Sequence, residues 1–503
     1  MLKTRSTATA VPSGRLKPYR SNPFLLGVLP LLVSSALFAD ASSAAPTAGA
    51  PVAVESPGTG ESAANAGGYL SLGRSLFGPQ FGASSGLKLG GWIEGGYAQN
   101  DNVHGSKGLG NSPVVFDRDT GFQLNAAHLL FEKEIKTNIT PRVTPTPAPM
   151  PQDYSFGWYV DAMYGRDAQV YQTYGWDSRW SVNKPGNYNS TEAQEDRQCF
   201  LVVPQVFLQG YLPWYKGMAF MLGTWMSTGS YEIGFIPEPG PDFLYSHSYA
   251  MESSPIKQSG LLWAANLVKN KEFGILATEI GITQGWSNLS SNNGSPAFVF
   301  NLRYRTSDMS TWVDFCSMTG DSQANPAKVG FPQDAGDKWF ADRVHIPTNV
   351  LISPRGQLKT EEDLVIIHEF SKKFKTVVEF TYGKQKGDGA SDTIDVLTGP
   401  NFKGASWSGL NLEAQYKFTS TFSFAARAET FRDRDGYILF PNSSVKGDIN
   451  EVTAGVQWHI NPFFLVRPEV RYDAQSNNSG VGAFGFGTQT HQLGFATDLV
   501  CYF

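Results

Sequence analysis

Charged residues make up only 17% of this 503-residue chain and cysteine is scarcer still. From Leu87 onward no apolar run approaches the roughly 20 residues a helix needs to cross a bilayer. The three cysteines, Cys199, Cys316 and Cys501, are widely spaced without a C-x-x-C pattern, which excludes a disulfide framework and a zinc site of that type. Neither H-E-x-x-H nor a Walker sequence occurs, and the seven histidines have no ligand spacing. No catalytic residue, metal or cofactor is therefore assigned. Arg432-Asp433-Arg434-Asp435-Gly436 lacks the later bidentate Glu of a calcium loop and reads as a polar hairpin loop. His459 shares a wet strand face with Gln457 and Glu451 but has no matched serine nucleophile. No Lys/Arg run interleaved with aromatics follows the N-terminal segment, which argues against nucleic acid as a partner.

Glycine and aromatics fill the space that charge leaves. Gly 52, Phe 34, Tyr 20 and Trp 12 describe many strands with aromatic bands and glycine-rich turns, not a helical protein. The N-terminus has the parts of an export signal: Lys3, Arg5, Arg15, Lys17 and Arg20, then the apolar stretch 24–38 interrupted by Pro30, then the small residues around Asp40. Cleavage is expected after Ala41 or Ala45. Removing residues 1–41 takes five bases and one acid and shifts the net charge from −5 to −9. Residues 42–68 are Ala, Ser, Pro and Gly, a leader too polar and small to bury a core. Residues 69–86 carry Leu70, Leu72, Leu76, Phe77 and Phe81 among glycines and allow a short plug or sealing helix.

Beyond residue 86, apolar and polar residues alternate with a period of two, the pattern of strands with one oily and one wet face. Phe298, Phe300, Leu302 and Tyr304 oppose Val299, Asn301, Arg303 and Arg305; Leu410, Leu412, Ala414 and Tyr416 oppose Asn411, Glu413, Gln415 and Lys417. The segments 422–430, 451–460, 464–473, 154–164, 87–97 and 374–382 behave alike. Segments 126–133 and 200–211 are apolar on both faces. Connections alternate in length. Short turns fall at 212–217, 268–271, 306–310, 371–373, 419–421 and 461–462, and long polar excursions at 99–120, 166–198, 227–254, 284–296, 320–361, 384–404, 432–447 and 474–490. Eight long loops above tight turns predict a transmembrane antiparallel up-and-down β-barrel over residues 87–503, of about 16 strands with a range of 14 to 18. The Pro-rich 134–153 is the one long connection on the short side.

Trp158, Tyr164, Trp263, Tyr304, Tyr382, Tyr416, Trp458 and Tyr472 lie on the oily face, where ring and polar tip suit a lipid headgroup boundary. The last strand alternates back from Phe503 through Cys501, Leu499, Thr497 and Phe495, a pattern similar to the C-terminal signal read by barrel-assembly machinery. Expected partners are therefore outer-membrane lipid, that machinery and small solutes, and the expected assembly is a homotrimer.

The stretches Gly91-Trp92-Ile93-Glu94-Gly95-Gly96-Tyr97, Asp117 to Asn125 and Trp158 to Gln169 resemble the putative β-barrel porin-2 family, the OmpL-like porins. So do Tyr231-Glu232-Ile233, Pro237 to Tyr249, Arg432 to Gly436 and Val466 to Asp473. The resemblance covers about residues 87–503 and implies an outer-membrane barrel with porin activity, not an enzyme. The chain departs from it by the insertion 321–361 and the Pro-rich 134–153, which bear on the shape of the outer mouth.

On this reading the wet faces line a lumen. The expected pore-lining set is Lys88, Arg303, Arg305, Lys417, Arg427, Arg467 and Arg471 against Glu94, Asp161, Glu279, Asp314, Glu379, Glu413, Glu429 and Glu469, near balance in charge. Most of the arginines lie late in the chain, so opposite walls are expected to carry opposite charge. The loop 227–254, with Glu232, Glu238, Asp242 and His247, is the candidate constriction. The expected function is passive diffusion of small hydrophilic solutes through a water-filled channel. The alternatives are a structural or adhesive barrel acting through its outer loops, and a barrel hydrolase.

Overall fold

The computed structural model describes residues 71–503 apart from 103–120, 143–146, 170, 172, 174–175, 178–198, 235–241, 287, 290–293, 322–356, 390–402, 440–444, 478–479 and 486–487. The export signal, the leader, Glu238 and most of the insertion after Asp321 lie outside the described residues. A six-residue helix, α1 (Leu72–Phe77), precedes the first strand. A Cβ on its Gly73 would meet the Phe81 ring and Leu89, so that face packs closely, while Leu76 and Phe77 are exposed.

The strands follow in order: β1 (Leu87–Asn100), β2 (Gly121–Lys133), β3 (Ser155–Gly165), β4 (Phe200–Leu212), β5 (Met218–Met226) and β6 (Lys257–Asn270). Then come β7 (Gly274–Thr283), β8 (Ala297–Arg305), β9 (Thr311–Asp321), β10 (Leu358–Ser371), β11 (Phe374–Lys386) and β12 (Gly404–Lys417). The last are β13 (Phe422–Asp433), β14 (Gly447–Asn461), β15 (Phe464–Val466), β16 (Glu469–Ser476) and β17 (His491–Tyr502). Each pairs antiparallel with its sequence neighbours, except that β15 and β16 do not pair with each other. β15 and β16 both pair with β14 and β17, and are one stave broken at Pro468, which has no N–H to give the ladder. The result is a sixteen-stave sheet.

Closure comes from β17 on β1, in register from Trp92 opposite Tyr502 to Asn100 opposite Gly494. Gly91 and Phe503 exchange both backbone hydrogen bonds at 2.9 Å. A closed sheet leaves no unpaired strand edge, the condition a spanning sheet must meet in hydrocarbon. The expected short turns and long connections are all found, with small shifts at strand ends. The largest shift is at β10, which begins at Leu358, so Glu361 belongs to the wall and not to the insertion.

Burial is inverted relative to a water-soluble fold. On β14 the apolar Val452 is 57% exposed while its neighbours Glu451 and Thr453 are 2% and 0% exposed. The same holds around the sheet: Phe298, Phe300, Ile280, Leu412 and Tyr472 point out, and Asn301, Arg303, Glu279, Asn411 and Arg471 point in. β2 and β4 looked apolar on both faces because their inner sides join an interior belt that includes Trp92, Leu130, Tyr159, Phe207 and Trp225.

Candidate functional site

A chain segment inside a closed sheet has no ladder partner, so its buried N–H and C=O groups must find side chains. The connection from β5 to β6 is such a segment. It carries two short helices, α2 (Tyr231–Gly234) and α3 (Tyr249–Ser253), and lies against the inner faces of β10 to β16. Wall carboxylates accept from its amides. Glu379 takes the Tyr231 N–H at 2.8 Å, Glu429 takes Tyr249 and Ala250 at 2.6 and 2.7 Å, and Glu469 takes Tyr245 and Ser246 at 2.8 and 3.1 Å.

Wall guanidiniums serve the carbonyls. Arg427 donates to Ser246 O at 2.8 Å, Arg467 to Leu244 O at 2.9 Å and Arg471 to His247 O at 2.7 Å. Of the expected constriction residues, Glu232 pairs with Arg427 at 2.8 Å and accepts the Ser248 N–H and hydroxyl, while Asp242 lies 3.1 Å from His247. Burial pushes the Asp242 carboxyl above its ordinary range, opposed by its hydrogen bond and attraction to His247. Burial also raises the Tyr231 phenol well above its usual value. Ser254 closes the loop by donating to Glu361 at 2.6 Å.

The expected pore-lining residues all lie on the polar face of the sheet, at different depths. Glu94, Asp161, Glu279, Arg303, Arg305, Asp314, Glu379, Glu413, Arg427, Glu429, Arg467, Glu469 and Arg471 are buried. Lys88 and Lys417 are only partly buried, at the short-turn rim, where Lys88 bridges Glu132 and Glu134. His128 bonds Asp161 at 2.8 Å beneath the Trp92 ring. Arg303 sits between Glu279 and Asp314, each at 3.3 Å, and Arg305 lies over the Trp312 ring.

Two expectations about charge are corrected. The expected pore-lining set left out Glu361, Asp363 and Asp498, and also Glu451 and Asp473 although alternation puts both on wet faces, so among the described residues carboxylates outnumber bases on the inner face even after Lys257, Lys359 and Lys375 are added. Parity along β10 and β17 could have found the other three. Nor do opposite walls carry opposite charge: Arg427 is matched by Glu451 and Glu232, Arg467 by Asp498 and Glu94, and Arg471 by Asp473. The arginines are neutralised where they stand, and the acid surplus lies on β9 to β12. Near the outer end the fully buried Lys359 ammonium sits 5.2 Å from the Trp286 and Trp407 rings and 5.5 Å from Tyr437.

The Pro-rich 134–153 is corrected in place. It bears on the short-turn end, not the outer mouth: Ile139 is buried against the inner face, the Arg142 N–H donates to Glu279 at 2.6 Å, and Tyr211 donates to Pro151 O. Burial lowers the Arg142 guanidinium to about 10. No group of three or more His, Cys, Asp or Glu able to hold a metal ion occurs among the described residues.

A closed barrel with an oily outer face, a charged inner face and a long loop folded inward is the build of an outer-membrane porin. The chain belongs to the family described as putative beta-barrel porin-2, OmpL-like, which matches residues 86–503. No curated protein matches the chain. Among solved structures it is similar to the outer membrane channel DcaP of Acinetobacter baumannii, at 9% identity and TM-score 0.46, covering 83% of this chain and 98% of that one. It is similar also to an anion-selective porin from Comamonas acidovorans, at 9% identity and TM-score 0.46, covering 83% and 99%. OmpF of Salmonella typhi, solved in complex with daunomycin, shares 11% identity at TM-score 0.43, covering 83% and 98%.

Proposed function

We propose that this porin passes small hydrophilic solutes by passive diffusion, with a preference for cations and neutral molecules over anions, and that it performs no catalysis. The observation that carries this reading is the inverted burial of the sheet, apolar outside and ionic inside, in a closed ring. The inner-face residues named above are the pore lining, and the loop 227–254 with Glu232, Asp242 and His247 is the constriction. The surplus of carboxylates on β9 to β12 favours cations, because fixed charge in a narrow passage selects the opposite sign. Residues 1–41 act as the export signal, the C-terminal strand ending at Phe503 is read by the assembly machinery, and the chain assembles as a homotrimer in outer-membrane lipid.

Liposome swelling with solutes of graded size and charge tests this. Entry of small sugars and amino-alcohols faster than sugar acids of equal size is expected. Folded protein that admits none of them contradicts it.

A further inference from the structure

Six of the seven connections at the short-turn end are tight. The seventh, between β2 and β3, is long, and its first part turns up inside the barrel. Three observations show that the wall is built to receive it.

First, Ile139 lies buried against Ala219, Ala264 and Ala277, one inward alanine from each of the adjacent strands β5, β6 and β7. Three small side chains in a row make a trough one large side chain deep. Second, the chain before Ile139 is keyed to the neighbouring turn: Asn138 donates to Lys216 O at 2.9 Å, and a Cβ on Gly217, whose φ is +100°, would stand 2.0 Å from the Asn138 amide oxygen.

Third, Arg142 reaches mid-wall. It bonds through its N–H to Glu279 and through its guanidinium to Gln205, and its carbonyl accepts from Arg303. Its φ of 69° is a left-handed conformation, uncommon for a non-glycine residue. Glu279 is five residues into β7 from the short-turn end, about 17 Å along the strand. Gln205 also accepts the Met226 N–H at 3.3 Å, at the root of the inward loop. Gln205 thus links the segment from the short-turn end to the last residue of β5, from which the inward loop departs.

We propose that Asn138–Arg142 is a second constriction in series with the loop 227–254, which narrows the β4 to β8 side of the passage from below and lowers the size limit for solutes. This rests on the porin reading. The Arg142 guanidinium also places a positive charge on that side of an otherwise acid-rich passage, so the strap selects by charge as well as by width.

The test compares single-channel conductance and solute size limit for the full chain, a variant with residues 138–151 replaced by a four-residue Gly/Asn turn, and Arg142→Ala. Folding is verified by β-sheet circular dichroism. The excised variant is expected to conduct at least twofold more and to admit larger sugars, with Arg142→Ala shifted less in the same direction. A native chain that stays silent while the excised variant conducts overturns both readings as stated, because the passage would then be closed and not narrowed. Folded variants with native conductance and size limit overturn the strap and leave the porin reading intact. Silence from every folded chain overturns both. Should the excised chain not fold, Arg142→Ala and Ile139→Ala, which keep the chain length, carry the same comparison.

Discussion

Arg427 is fully buried between Glu232 at 2.8 Å and Glu451 at 3.1 Å, and it also holds the Ser246 carbonyl. Removing one member of a buried ionic group strands the others, at a cost of about 3–5 kcal/mol. Arg427→Ala should therefore lower the thermal unfolding temperature in detergent markedly, and Arg427→Ala combined with Glu232→Ala should recover part of the loss. A pair of equal melting curves for native and Arg427→Ala protein refutes this. Asp308, in the exposed turn after β8, accepts from Thr306 at 2.6 Å and from the Ser310 N–H at 3.1 Å, which lowers its carboxyl to about 2. A depressed folded value stabilises the fold above the unfolded value of about 3.9 and loses that effect as pH falls through about 2. Asp308→Asn should flatten stability between those limits and leave it unchanged near pH 2; an unaltered acid limb contradicts the assignment.

The inward loop is where one element acts on another. Glu429 and Glu469 together accept four of its backbone N–H groups. Changing both to Ala leaves buried donors unmatched, which costs about 1–3 kcal/mol each. The loop should then leave the wall, seen as faster protease cleavage between β5 and β6 and noisier, larger channel currents; native cleavage rates would refute it. Strands and connections were legible in the sequence because a period of two and the contrast of short with long linkers are local signals. The wet faces of β13, β14 and β16 could be read the same way. The direction of the loop could not be derived by parity, because Glu429 and Arg471 find their partners in backbone atoms of a segment about two hundred residues away, which leave no mark on side-chain identity. The strap was hidden for a related reason: Ala219, Ala264 and Ala277 form a trough only once three strands stand side by side.

For the molecule as a whole, the solvent outside the sheet decides everything else. Val452, halfway along β14 and 57% exposed, is a harmless surface position in water but a hydrocarbon contact in a bilayer. Val452→Arg should cost about 2–4 kcal/mol when folding is measured into lipid vesicles near the midplane. A cost near zero would contradict the orientation. Loss of Phe503, whose backbone closes the ring on Gly91, should lower the yield of assembled barrel in cells. The most direct measurement uses chains that keep a single tryptophan, either the outward Trp458 or the inward Trp407, in vesicles of brominated lipid. Trp458 fluorescence is expected to be strongly quenched and Trp407 fluorescence to stay bright. Equal, weak quenching of both, in a chain that remains folded without lipid or detergent, would show that the oily face never meets a membrane.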